Sequence, residues 1–115
     1  VLRGEMPTGT ITDISAADNG YACAISQGDV YCWGVNSSGR LGTGVSTNEA
    51  TPKQIDPLSE LASRTAEDIS AGTSNACAVA EAEVYCWGSN SYGNLGIGTF
   101  SLGSSSLSPV RVIYN

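Results

Sequence analysis

The sequence contains no histidine. Without one, neither a Ser–His nor a Cys–His nucleophile pair can be assembled. Basic residues are scarce, with 5 Lys and Arg against 11 Asp and Glu and a net charge of -6. Nucleic-acid binding without sequence preference needs a basic footprint, so that class is set aside. No window approaches ~18 consecutive apolar residues, the length of a membrane-spanning helix, so no direct membrane insertion is expected. No signal peptide is visible. The chain starts at Val1 and not at Met, which reads as a processed or excised piece whose signal or anchor lies outside it. Lys and Glu are too few for long amphipathic helices, and no Gly-rich stretch ends in Lys-Ser/Thr to cradle a phosphate.

What is present is a phrase written twice. Residues 30–44 read VYCWGVNSSGRLGTG and residues 84–98 read VYCWGSNSYGNLGIG. Between Cys23–Gly44 and Cys77–Gly98, 13 of 22 positions are identical at a constant offset of 54 residues. An internal repeat is the first inference, ahead of any secondary structure. The 115 residues suit one domain with a modest core. Gly, Ser, Thr, Ala and Val dominate, which favours short strands joined by many turns.

The 4 cysteines fall into two pairs, Cys23–Cys32 and Cys77–Cys86, each spaced C-x8-C. Two β-prone runs flank Gln27-Gly28, as in a hairpin with a two-residue turn. That turn pairs Ser26 with Asp29, Ile25 with Val30, Ala24 with Tyr31 and Cys23 with Cys32. Counted outward, Cys23 and Cys32 occupy a non-hydrogen-bonded pair, where the Cα atoms approach to about 4.5 Å, within reach of a disulfide. The second repeat has the same register around Glu81-Ala82. Two hairpin disulfides are predicted, each worth roughly 2–3 kcal/mol, and they imply an oxidising compartment. The alternative is reduced, buried cysteines. Zinc is disfavoured by the wide spacing and the lack of histidine.

Each repeat reads as four strands. The first has Thr10–Ser15, Tyr21–Ile25, Asp29–Trp33 and Thr51–Ile55. The second has Asp68–Ser70, Asn75–Val79, Glu83–Trp87 and Pro109–Ile113, with a one-residue deletion before Asn75. On the first hairpin, Cys23, Ile25, Val30 and Cys32 point one way, and Ala22, Ala24, Tyr31 and Trp33 the other. Both faces are apolar, so the sheet is expected to be covered on both sides. Stacked four-stranded sheets of a β-propeller do that.

These residues resemble the RCC1 (regulator of chromosome condensation) repeat. Tyr31, Trp33, Gly34, Asn36, Gly39, Leu41, Gly42 and Gly44 match its pattern, as do Tyr85, Trp87, Gly88, Asn90, Gly93, Leu95, Gly96 and Gly98. The usual His-Ser of the turn is absent, and the Cys pair looks like a variant of exported bacterial relatives. The resemblance implies an all-β fold of two propeller blades of antiparallel sheet. Blade 1 is expected over 10–56, a linker over 57–65 and blade 2 over 66–114, as one domain spanning 1–115. The family usually closes seven blades, so two blades leave outer faces to cover. Val1–Gly9 and Leu58–Thr65 are the candidate caps, the latter as one or two helical turns begun by Asp56 and Pro57.

Trp33 and Trp87 read as core, on the covered face opposite the disulfides. Asn36 and Asn90 read as turn residues; Asn36-Ser37-Ser38 is formally a glycosylation sequon, but Asn90 lacks one. Asp13, Asp18 and Asp68 fit no calcium loop. No catalytic, metal or cofactor residues are assigned. The candidate interaction residues lie on loops that differ between the repeats: Val45, Thr47, Asn48, Tyr92, Phe100 and Leu102. The functional expectation is an exported, non-enzymatic protein-interaction module of a secreted or bacterial surface protein. Its partner would be another protein or copies of itself. The alternatives are a subunit of a self-assembling pilus or filament, or a carbohydrate-binding module.

Overall fold

The computed structural model describes residues 6–7, 9–98 and 105–113. Eight strands run in chain order: β1 (Ile11–Ala17), β2 (Tyr21–Ser26), β3 (Asp29–Gly34), β4 (Glu49–Gln54), β5 (Ala66–Ala71), β6 (Asn75–Ala80), β7 (Glu83–Ser89) and β8 (Ser105–Arg111). They form two antiparallel sheets, β1-β2-β3-β4 and β5-β6-β7-β8, so the chain is an all-β pair of blades.

The hairpin register is the one counted from the turns. Ser26 faces Asp29 and Cys23 faces Cys32, while Ala80 faces Glu83 and Cys77 faces Cys86. Both disulfides are formed, with Cα atoms 4.0 Å apart in each. The turns adopt the left-handed geometry that suits strand twist, with φ of 53° and 84° at Gln27-Gly28 and 52° and 69° at Glu81-Ala82. Ala82 holds this conformation without being a glycine, at a cost of roughly 1 kcal/mol. Where the hairpin ends, Gly88 (φ 99°) lies against β6: a Cβ there would meet the Ser74 carbonyl oxygen at 2.5 Å and Asn75 Cα at 2.8 Å.

Several strand ends differ from the expectation. β1 runs on through Ala16 and Ala17, which the ladder with β2 carries despite their weak β-propensity. β8 starts at Ser105 and stops at Arg111, four residues earlier than a strand begun at Pro109. Pro52 and Pro109 both lie on edge strands whose pairing with the central strand is interrupted by a register shift, where a missing N–H is tolerated.

The core lies between the sheets. Tyr21, Cys23, Ile25, Val30 and Cys32 of the first sheet pack with Ala76, Ala78, Ala80, Tyr85 and Trp87 of the second. So the disulfide face of blade 1 meets the Tyr/Trp face of blade 2. The other, disulfide-bearing face of blade 2 leaves Cys77, Val79 and Val84 partly exposed. The segment 58–65 caps no outer face. It makes a short 3-10 turn at Glu60–Ser63 and buries Leu61 in the core that both blades share. Asp56 organises the turn before it: its Oδ1 accepts the Leu58 N–H at 3.0 Å and its carbonyl accepts the Ser59 N–H at 2.9 Å. Of the other candidate cap, Val1–Gly9, only residues 6, 7 and 9 are described.

Candidate functional site

Two structural devices place the candidate interaction residues: a laced loop edge and the joint between the blades.

The loop edge hangs from Asn36, which is 1% exposed. Its Nδ2 donates to the carbonyls of Val45 (2.7 Å) and Thr47 (3.0 Å), and its Oδ1 accepts the Leu41 N–H (2.9 Å). The Asn36 N–H donates in turn to Asn48 Oδ1 at 2.8 Å. Asn90 repeats the device, its Oδ1 accepting the Leu95 N–H at 3.1 Å. In both repeats the glycine at the third position after Asn donates back to the Asn carbonyl, and Leu41 and Leu95 are fully buried beneath. The Asn-x-x-Gly-x-Leu pattern thus encodes a small self-satisfied loop. Its solvent side carries Val45, 49% exposed, and Tyr92, 77% exposed, with Thr47 and Asn48 exposed beside Val45. Asn48 spends its oxygen on Asn36 and is partly framework. Phe100 and Leu102 lie outside the described residues.

The same loop of blade 1 also cements the joint. Trp87 is 0% exposed and donates from Nε1 to the Arg40 carbonyl at 2.9 Å. Gly42 (φ 68°) lets the loop lie on the indole, because a Cβ would meet its Cδ1 and Nε1 at 2.8 Å. Gly44 donates to the Leu107 carbonyl of β8 at 2.9 Å. Arg40, 7% exposed, donates from Nε to the Ser37 carbonyl and lies over the Tyr21 ring, 5.6 Å from its centre. The two tryptophans therefore differ. Trp87 is sealed in the joint, whereas Trp33, at the same repeat position, is only partly buried beside Ala17, Gly20 and Ala22. The framework tyrosines Tyr31 (6%) and Tyr85 (0%) are both buried.

At the other side of the joint, the strands β1 and β5 are stitched by side chains. Asp13 Oδ2 accepts the Ile69 N–H at 2.9 Å, and Ser15 Oγ accepts the Ala71 N–H at 3.0 Å. Tyr21 adds its hydroxyl, within 2.8 Å of the Gly72 carbonyl and 2.9 Å of the Asn75 carbonyl. Burial pushes the Tyr21 phenol up to about 12. None of Asp13, Ser15, Tyr21 and Arg40 stood out in the sequence as a joint residue. A signal was there: Asp-Ile-Ser-Ala occurs at 13–16 and again at 68–71. The first copy is stitched onto the second: Ile69, whose N–H Asp13 accepts, is 5% exposed, while its counterpart Ile14 is 62% exposed.

Asp68 Oδ1 also accepts the Ile69 N–H, at 2.9 Å, so two carboxylates share one donor. The Ile69 N–H, and next the Asp68 side chain, hold the Asp13 carboxyl below the usual range. The hydrogen bond and then the charge of Asp13 push Asp68 above it. The raised Asp68 favours folding fully below the unfolded value of 3.8, and that contribution is lost as pH rises through its folded value. The depressed Asp13 contributes above 3.8, and its share is lost as pH falls through its folded value. Asp68→Asn keeps an oxygen for Ile69 and removes the repulsion. It should melt higher than the wild type at neutral pH, and the gain should vanish in acid below 3.8. Thermal melts of both proteins across pH check this; a gain that grows in acid would contradict the pairing.

The RCC1 repeat model (regulator of chromosome condensation) matches residues 27–79 and 81–115, well over half of the chain. The chain belongs to the RCC1 repeat family. It is 33% identical over 91 residues to the human E3 ubiquitin-protein ligase HERC2, covering 76% of this chain and 2% of that protein. It is 32% identical over 89 residues to the ultraviolet-B receptor UVR8 of Arabidopsis thaliana, covering 76% of this chain and 20% of the receptor. Among solved structures, human WBSCR16 superposes with a TM-score of 0.82 at 18% identity, over 94% of this chain and 26% of that one. Prp20p of Saccharomyces cerevisiae, described with its binding to Gsp1p and histones, gives 0.76 at 20% identity, over 96% and 27%. The chain thus spans a fifth or less of these curated relatives.

These comparisons correct the functional expectation. The relatives are human, mouse, plant and yeast proteins, among them protein ligases and a light receptor. The bacterial, exported variant is overturned, and with it the extracellular or cell-surface location and the pilus or filament. The carbohydrate-binding alternative falls as well. The physical reason lies in the cysteines. C-x8-C reports a cross-strand position in a hairpin, and a register says nothing about a compartment. What stands is a two-blade module of RCC1 repeats. Among the described residues no helix is long and apolar enough to cross a membrane, and no group of three or more His, Cys, Asp or Glu could hold a metal.

Proposed function

We propose that this two-blade RCC1 unit presents one loop edge to a basic protein partner. Blade 1 (10–56), the linker (57–65) and blade 2 (66–114) act as a single domain. Val45, Thr47 and Tyr92 are the contact residues, with Asn48 helping to hold the 45–48 loop; Phe100 and Leu102 remain candidate contacts from the sequence. The observation that carries this reading is Tyr92. A tyrosine left 77% exposed on a loop whose anchor Asn90 is 2% exposed offers large contact area at low entropic cost. The net charge of -6 favours a basic partner and would speed its encounter.

Core histones are the first probe, because they are basic and because Prp20p was described with histones. Titration of the labelled chain with histones should show binding that weakens with salt. Tyr92→Ala with Val45→Asp should weaken it about tenfold or more without changing the melting temperature. No binding to histones would refute the basic partner, and unchanged binding by the variant would refute the loop edge.

A further inference from the structure

We infer that the Cys77–Cys86 disulfide is a thiol–disulfide exchange site, and that Cys23–Cys32 is not. The two bridges are chemically matched. Each spans the same position of a two-residue-turn hairpin, with the same nine-residue separation and the same 4.0 Å between Cα atoms. They differ in what lies over them. Cys23 and Cys32 are both 0% exposed, in the core between the sheets. Cys77 and Cys86 sit on the opposite side of their blade from Trp87 and Tyr85. Cys77 is partly exposed and lines a shallow hollow of about 110 Å³ with Ile69, Ala78, Val79 and Val84. Cys86 is 3% exposed.

Exchange requires an incoming thiolate to reach one sulfur while the other leaves. Access therefore selects Cys77 as the sulfur attacked. A thiolate RS⁻ bonds to Cys77 Sγ, the S–S bond breaks, and Cys86 departs as a thiolate that takes a proton from solvent. A second thiolate attacks the external sulfur of the mixed disulfide, forms RSSR, and frees Cys77 as a thiolate, protonated in turn. Overall two RSH are oxidised to RSSR and one protein disulfide is reduced to two thiols. Asp68 and Ser70 are the polar residues lining the hollow, and Asn75 Nδ2 lies 4.0 Å from Cys77 Sγ. The hollow suits small uncharged thiols better than anionic ones. β6 and β7 also pair through five residue pairs besides Cys77 and Cys86. At Cys23–Cys32 the same attack has to wait for the blades to part.

The test uses the intact chain under native conditions with 2-mercaptoethanol as the thiol. Samples are quenched with N-ethylmaleimide at intervals and mapped by peptide mass spectrometry. Cys77 and Cys86 should become labelled about ten times faster than Cys23 and Cys32 or more, since one opening is local and the other subglobal. The trapped mixed disulfide should sit on Cys77. Equal rates at the two bridges, faster reaction at Cys23–Cys32, or a mixed disulfide on Cys86 would overturn the assignment. Val84→Phe, which fills the hollow, should slow labelling of Cys77 and leave Cys23 unchanged. If Cys77 reacts as fast in that variant, the hollow is not the route.

Discussion

Trp87→Ala should cost about 3–5 kcal/mol, the range for truncating a fully buried large aromatic. In a chain of this size that is a fall in melting temperature of about 10–20 °C. Trp33→Ala should cost about 1 kcal/mol, because much less area leaves water contact. The two residues hold the same place in the same phrase, so the contrast isolates the surroundings. Trp87 loses three things on truncation. The indole contacts with the Gly42 loop go, the N–H bond to the Arg40 carbonyl goes, and that carbonyl stays in the joint unpaired. Trp33 is partly exposed, on the face of blade 1 opposite the one that packs on blade 2. Urea unfolding of both variants, followed by far-UV circular dichroism, measures the difference. Similar costs would mean that the blades do not stack through the Trp87 face. Gly42→Ala offers an independent check. Its Cβ would collide with the indole at 2.8 Å from a backbone at φ 68°, so it should destabilise by a comparable route.

That contrast also marks where the sequence stops informing. The hairpin register could be counted from Gln27-Gly28 and Glu81-Ala82, because a two-residue turn dictates every pairing outward from it, the cysteines included. The blade fold followed from the repeated Tyr-x-Trp-Gly and Asn-x-x-Gly-x-Leu-Gly elements. Which face of each blade is covered could not be counted. The apolar pattern is the same in both repeats, yet Cys23 is 0% exposed and Cys77 is not. Coverage depends on the order in which blades stack, a tertiary fact with no local signature. The joint residues were missed for a related reason. Asp13 and Ser15 look like any polar positions of a half-solvated strand until β5 is laid beside them. Their role is visible in the sequence only through the second Asp-Ile-Ser-Ala. At the loop edge, the turn role of Asn36 and Asn90 was legible. That Asn48 serves Asn36 was not, since the contact depends on how the 45–48 loop folds back.

Asn36→Ala should cost about 2–4 kcal/mol. It deletes three hydrogen bonds at a site 1% exposed, to Val45, Thr47 and Leu41. Each bond is worth roughly 1 kcal/mol net, and each abandoned buried partner adds its own desolvation penalty. Asn36→Asp should be no better. The carboxylate still accepts from Leu41, but it turns a negative oxygen on two carbonyls that had received N–H donors. The effect should be local as well as global. Amide exchange at Leu41 should accelerate, and the 45–48 loop should become a preferred site of proteolysis, while exchange in the β6–β7 ladder changes only with overall stability. If Asn36→Ala costs under about 0.5 kcal/mol, water has replaced the side chain and the loop is not held by it. A large cost has a functional corollary. Val45 and Thr47 would remain in the chain with nothing to fix their backbone, so the partner should be lost with every contact residue still present. That outcome would separate the framework, which the repeat preserves in Asn36 and Asn90, from the exposed residues it carries.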